Sequence, residues 1–445
     1  MKSELRAVVS LALLYAIRML GLFMVLPVLS IAGLSYELAT AATIGLALGI
    51  YGLTQSLFQI PLGMLSDFIG RKPVIIFGLV LFAIGSLIAA YSTSVYGLIL
   101  GRALQGAGAI ASTVMALVSD LTSEENRTKA MASIGASIGL SFMVAMVLGP
   151  LLSGAVGLDG IFIFTFVLSI AGILLVIFVV PSPPIVTRSH RDAGAIPSLL
   201  IDTAKKPDLL RLNVGIFTLH AVLTAIFIVV PSILLNELDM PIGTHWKVYC
   251  SVLLGSFVAM LPIMILAEKK NKAKEAFLFA IAVLSVSFAL FSQAPSGVFV
   301  FVLFLFFVAF NLLEAMLPSW VSKVAPAGVK GTAMGLYSTW QFMGAFVGGV
   351  AGGIIVSKFD TQTLFVVCGL GCMLWFIVAC FMNRPKKLSG LSFQLRDEAV
   401  ADFDFAGFEG VEDAAYASAD QMLYLKVDKT RLDLQALKIQ LDKYA

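Results

Sequence analysis

The chain has 445 residues, of which 59% are hydrophobic and 13% charged, with mean hydropathy +0.97 and formal net charge +3. A soluble globular chain is about a quarter charged, so this composition excludes a water-soluble domain as the bulk of the molecule. A bilayer core needs about 20 apolar residues from each helix, and the chain offers twelve such runs, near 5–31, 39–66, 72–92, 94–121, 127–156, 159–181, 209–236, 243–266, 273–293, 296–324, 329–357 and 361–382.

The first run is too long for the apolar part of a signal peptide and lacks a small-residue cleavage site after it, so it counts as a span. It carries Arg18 well inside apolar surroundings. Gln55 and Gln59 lie one turn apart in the second run as candidate hydrogen bonders of a cavity. Between the second and third runs stands Gly63-Met64-Leu65-Ser66-Asp67-Phe68-Ile69-Gly70-Arg71-Lys72. An acid that ends one helix and a base that starts the next can close on each other, and Asp120, ending the fourth run on the same side, can complete a triad. Simple anchoring at the membrane edge is the bland reading of that cluster.

Arg102 sits inside the fourth run, in Arg102-x-x-Gln105-Gly106-x-Gly108. A guanidinium at membrane depth costs several kcal/mol unless paired or hydrated, so it is either structural glue or functional. The fifth run contains Gly149-Pro150-Leu151-Leu152-Ser153-Gly154. His220 in the seventh run is read as a satisfied core histidine or a proton handler. In the tenth run Asn311 precedes Glu314 by one turn, and Glu314 is either one half of a structural pair, with Arg18 a candidate partner, or a titrating proton carrier. Gly344, Gly348 and Gly352 in the eleventh run read as a packing stripe.

Lys and Arg orient the bundle. With the N-terminus inside, one set of connections and ends holds 20 cations, while the opposite loops offer only Lys247 and Lys358. Both termini are therefore expected in the cytoplasm. The two halves echo each other. Pro61, Gly63, Asp67, Gly70 and Arg71 recur as Pro262, Met264, Glu268, Asn271 and Lys272 at an offset of 201. Val118, Ser119, Arg127, Ala130 and Met131 recur as Val321, Ser322, Lys330, Ala333 and Met334 at an offset of 203. Asn271, like Gly70, tolerates a left-handed turn.

The segment Gly63–Lys72 resembles the loop 2–3 signature of the major facilitator superfamily, G-x-x-x-D-x-x-G-R-[RK], at every defined position. That resemblance implies an all-α membrane protein of twelve transmembrane helices in two six-helix halves. The halves would be 1–181 and 209–388, joined by the cytoplasmic linker 182–208. It implies that the latch of Gly63, Asp67, Gly70, Arg71, Lys72 and Asp120 stabilises an outward-facing state. The Arg102 segment resembles the superfamily's fourth-helix motif, which is linked to proton coupling. The fifth-run segment resembles its antiporter signature, with Ala136, Ala145 and Ser153 in place of glycines. Arg18–Pro27 and the tail look most like the YajR-like branch of bacterial drug–proton antiporters. The implied function is secondary active transport in the bacterial inner membrane, a proton-coupled efflux of a lipophilic or amphiphilic solute. A proton-coupled importer, or a sensor built on a non-transporting bundle, are the other readings.

The tail, 389–445, holds 11 acids and 6 bases and changes character. Strands are expected at Leu391–Leu395, Val411–Ala417 and Gln421–Val427, with a helix after the first. A last helix capped by Asp428 should carry Leu434, Leu437 and Leu441 on one stripe. The order suggests a small ferredoxin-like α+β cytoplasmic domain, docked reversibly by charge on the basic loops or on a second copy of the chain. Cys250, Cys368, Cys372 and Cys380 all fall inside runs, and Cys368 and Cys372, which share a helix face, read as apolar packing rather than metal ligands. No Walker loop, H-E-x-x-H or Cys/His cluster is present. No cofactor, no metal, no enzyme activity and no nucleic-acid partner are expected; the partners are the lipid bilayer, a small molecule and protons.

Overall fold

The computed structural model describes residues 2–182, 196–293, 295–384, 386, 388–395, 405, 408–417 and 421–441. Arg188 and Arg191 of the linker, and the helix expected after Leu395, lie outside the described residues.

The apolar runs become helices wherever a cap or a chain break delimits them. These are α1 (Lys2–Phe23), α2 (Ala41–Ile69), α3 (Arg71–Tyr91) and α4 (Val95–Leu121). The 55-residue run Glu124–Phe178 breaks at Gly157, with φ 73° and ψ −176°, into α5 (124–156) and α6 (158–178). The second half comprises α7 (Pro207–Asn236), α8 (Trp246–Lys269), α9 (Ala273–Phe291), α10 (Ser296–Val324), α11 (Lys330–Lys358) and α12 (Thr361–Cys380). These make twelve spans among the described residues. Side-chain caps start several of them: Thr40 and Thr43 form a capping box on α2, and Asp360 accepts the Thr363 N–H of α12 at 2.7 Å.

The first span departs from expectation. Helix α1 stops at Phe23, and the chain turns through Pro27 before the short helix Leu29–Ala32. Proline cannot donate the i→i−4 bond that would carry the helix on. Helix α4 is likewise interrupted at 108–110, next to its small-residue motif.

The repeat is visible in the backbone. Gly70 has φ 96° and joins α2 to α3 in a single residue; Asn271, its echo, has φ 52° between α8 and α9. Large apolar side chains such as Phe58, Phe77, Leu100, Leu174, Val258 and Leu374 are exposed around the outside of the bundle. An exposed apolar belt on this scale is stable only in lipid.

The halves approach most closely at the end away from Arg71. Along α2, Gly45, Gly49 and Gly52 meet the α11 backbone at Gly349, Phe346 and Phe342. A Cβ on Gly45 would lie 2.8 Å from the Gly353 Cα, so only bare backbone permits this crossing. At the same end Gly154 of α5 faces Gly243, just before α8, where a Cβ would lie 2.8 Å from the Gly243 Cα. The stripe Gly344, Gly348 and Gly352 packs on α7 within its own half, against Phe217, Ala221 and Ala225.

The tail forms β1 (Ser389–Gln394), β2 (Val411–Ala417), β3 (Met422–Val427) and α13 (Leu434–Leu441), with antiparallel strand order β1-β3-β2. Leu423, Leu425 and Val427 bury one face against Leu437 and Leu441 of α13. Two details differ from expectation. Asp433, not Asp428, caps α13, accepting the N–H groups of Gln435 and Ala436 at 3.0 Å. Asp428 is used up in a tight turn with Thr430, whose N–H and hydroxyl it accepts at 3.0 and 2.6 Å. Leu434 is consequently in the first turn and exposed.

The expected surfaces for the tail were the basic loops, Lys269–Lys274 and the 182–208 linker among them, or a second copy of the chain. The described contacts instead fall on the 325–329 connection between α10 and α11. Met422, Tyr424 and Ala417 cluster with Ala327, Asp413 accepts the Ala327 N–H at 2.9 Å, and Lys426 donates to the Lys323 carbonyl. Among the described residues, apolar contact and hydrogen bonds to backbone groups make up that interface.

Candidate functional site

Among the described residues, three polar clusters in the bundle bring the candidate residues together. The first is at the Arg71 end. Gly70 lets α3 begin at once, which points Arg71 back at α2. Arg71 Nη1 is 2.5 Å from Asp67 Oδ1 and donates to Ser66 Oγ at 2.7 Å, while Nε is 2.9 Å from Asp120 Oδ2. The guanidinium is buried, Asp120 is mostly buried, and Asp67 is 35% exposed. Charge-assisted bonds in such partial burial are strong. Gly63 lets Ser112 of α4 approach, since a Cβ there would lie 2.7 Å from its Oγ. Lys72 is half-buried and takes no part in the triad. The cluster is built wholly from the first half.

The second cluster fills the middle of the first half. Arg18 Nη2 donates to Tyr51 Oη at 3.1 Å and to Gln55 Oε1 at 2.8 Å. Gln55 Nε2 reaches Gln59 Oε1 at 3.4 Å. Arg102 Nη1 donates to Gln105 Oε1 at 2.8 Å, and Gln105 passes on to Ser86 Oγ at 2.8 Å. Arg102 Cζ lies 5.0 Å from the Tyr51 ring centre and Arg18 Cζ 5.4 Å from that of Phe82, both in cation–π range. Gly106 sits against the Tyr51 carbonyl and Gly108 against that of Gly78, so both are close-approach positions. Gly149, beside Pro150, abuts the Met24 carbonyl and Pro27.

The third cluster is in the second half. Gln341 Nε2 lies 2.9 Å from His220 Nε2 and 3.3 Å from Glu314 Oε1, and His220 is 3.9 Å from Glu314 Oε2. Asn311 turns away from it to donate to Ser256 Oγ of α8 at 3.0 Å. The suggested Arg18–Glu314 pair is not formed. Tyr51 and Gln55 on α2 take Arg18, and Gln341 on α11 takes Glu314, so each charge is served inside its own half.

Tyr51, Ser86, Gln341 and Ser66 were missed from the sequence. A signal was available for two of them. Tyr51, Gln55 and Gln59 are spaced by four, as are Tyr337 and Gln341, and such spacing puts polar groups on one face of an otherwise apolar helix.

Twelve spans in two related halves, each with charged or titratable side chains at mid-depth, define a multi-pass transporter of small solutes. The sequence matches the model of the Major Facilitator Superfamily over residues 11–349 and 214–401, and the chain belongs to that family. It is 44% identical over 434 residues to the inner membrane transport protein YajR of Escherichia coli (strain K12), covering 96% of this chain and 94% of that protein. It is 24% identical over 379 residues to Multidrug resistance protein 2 of Bacillus subtilis (strain 168), covering 80% of this chain and 92% of that one. A crystal structure of the nucleoside transporter NupG superposes with TM-score 0.67 at 15% identity, over 84% of this chain and 99% of that one. The last likeness concerns the fold.

Proposed function

We propose that the protein is a proton-coupled exporter of a lipophilic or amphiphilic small molecule, working by alternating access in the bacterial inner membrane. The observation that carries this reading is Glu314, a carboxylate in the middle of α10 with no Lys or Arg among its described partners, one amide away from His220. A carboxylate so placed exchanges a proton rather than neutralising a neighbour. The relationship to a multidrug resistance protein supports export, as does Gly149-Pro150 with Gly154 at the approach of the two halves.

With the termini placed in the cytoplasm by the Lys and Arg distribution, the end where α2 meets α11 faces outward, which supports reading this conformer as inward-open. The Asp67–Arg71–Asp120 triad is complete in it, so the triad forms without a partner from the second half. Its role as a latch on the outward-facing state then requires a second-half residue to join it when the Arg71 end closes.

The test is flux in proteoliposomes under an imposed pH gradient. The Glu314→Gln protein should lose gradient-driven transport while still binding substrate. Full gradient-driven transport by that variant would rule out Glu314 as the carrier. Everted vesicles give the direction: substrate-driven proton movement of the opposite sign would make the protein an importer.

A further inference from the structure

The first half holds two arginines at membrane depth and no acid to balance them. Its Asp and Glu residues are Glu4, Glu37, Asp67, Asp120, Glu124, Glu125 and Asp159, all at helix ends or in connections. Among the described residues neither Arg18 nor Arg102 has a carboxylate partner. Arg102 is nevertheless well served: Gln105, the Ala47 carbonyl and the Tyr51 ring take up its donors and its face. Arg18 is not. It is 2% exposed, all its described hydrogen bonds leave from Nη2, and its Nε and Nη1 are buried without a partner. A buried guanidinium with unsatisfied N–H groups is expensive, and the cost is that of a missing anion.

We propose that Arg18 is the anchor for an anionic head group on the transported amphiphile, a carboxylate, sulfonate or phosphate monoester. Its free Nη1 and Nε donate to the oxygens, and Tyr51 and Gln55 hold Nη2 so that the plane of the guanidinium is fixed. Phe82 covers the apolar face of Arg18. Arg102 adds a second positive charge across the Tyr51 ring, without giving up its own partners. The division of labour is then an anion site in the first half and a proton site at Glu314 in the second. This rests on the transport reading above, and names the chemistry of the solute.

A matched pair of probes tests it. 8-Anilinonaphthalene-1-sulfonate and N-phenyl-1-naphthylamine share an aromatic body and differ by the sulfonate. Saturable binding of each is measured by fluorescence to the full-length protein in nanodiscs of uncharged-headgroup lipid, against empty discs. The wild type should prefer the sulfonate by about tenfold or more, the ratio expected of a charge-assisted hydrogen bond. Arg18→Gln should lose that preference while binding the neutral probe as before, which also shows that it is folded. Arg18→Lys should keep part of it. Repeating the titration in chloride and in gluconate identifies the source of the anion. Suppression by chloride assigns the Arg18 site to an inorganic anion and overturns the head-group assignment; indifference supports it. Equal binding of the two probes by the wild type, no saturable sulfonate binding, or an undiminished preference in Arg18→Gln would overturn the proposal. Absence of gradient-driven flux of the sulfonate probe with its Arg18-dependent preference intact would sink the transport reading and leave the anion site standing.

Discussion

At the residue scale the two acids around Arg71 are not equivalent. Asp120 is 16% exposed and Asp67 35% exposed, although both touch the same guanidinium. Removing a buried partner leaves an uncompensated charge and costs about 3 kcal/mol, whereas an exposed pair is worth about 1 kcal/mol or less. Asp120→Asn should therefore lower the unfolding temperature in detergent clearly more than Asp67→Asn, and Arg71→Ala should be at least as damaging as Asp120→Asn. Equal shifts for the two acids would show that the triad does not stabilise the half through burial. The triad was legible because its members sit at helix ends in a fixed spacing. Ser86 was not, because a hydroxyl in an apolar run looks the same whether it faces a neighbour's polar group or the lipid, and Tyr51 and Gln341 left only their spacing of four as a sign. Which charge pairs with which was equally hidden: sequence places Arg18 and Glu314 at one depth, but only packing shows that α2 and α11 stand ready to serve them first.

At the element scale the crossing of α2 and α11 governs the conformer. Gly45, Gly49 and Gly349 permit backbone contact that any side chain would forbid. Gly349→Leu should force the helices apart at that end and shift the population towards the opposite conformer. Spin-label distances between the outer ends of α2 and α11 should lengthen by several ångströms in the variant, about the width of one side chain. Unchanged distances would mean that the crossing is not what closes the bundle. The twelve runs were readable because a bilayer allows few alternatives to a long apolar helix. The breaks inside α4 and after Phe23 were harder, since hydropathy runs straight through them. The tail's strands followed from alternation, but its cap did not. Asp428 and Asp433 both precede the helix, and the turn that Thr430 makes with the first decides for the second.

At the scale of the whole molecule the described contacts between tail and bundle are a small apolar patch, one capped N–H and a Lys426 bond to a backbone carbonyl. Such an interface is little affected by ionic strength, unlike exposed ion pairs, which are screened within about 10 Å at 0.1 M salt. Cysteines placed at Ala327 and Met422 should crosslink as well in high salt as in low, and Asp413→Ala together with Tyr424→Ala should abolish the crosslink in both. A crosslink that fades with salt would restore charge as the docking force. The tail's position has a counterpart in the first half. Glu4 accepts the Ser123 N–H at 2.5 Å and the Asn126 amide at 3.3 Å, at the α4–α5 connection that echoes the one Asp413 holds. Each corner is pinned by a carboxylate from one end of the chain, and this sets an order of assembly on the ribosome. The first corner finds Glu4 already made when its own residues emerge. The second must wait for Asp413, 86 residues after Ala327, a delay of roughly 4–17 s at ordinary rates of synthesis. Through that interval, while α11 and α12 are being made, the corner after α10 stays unpinned.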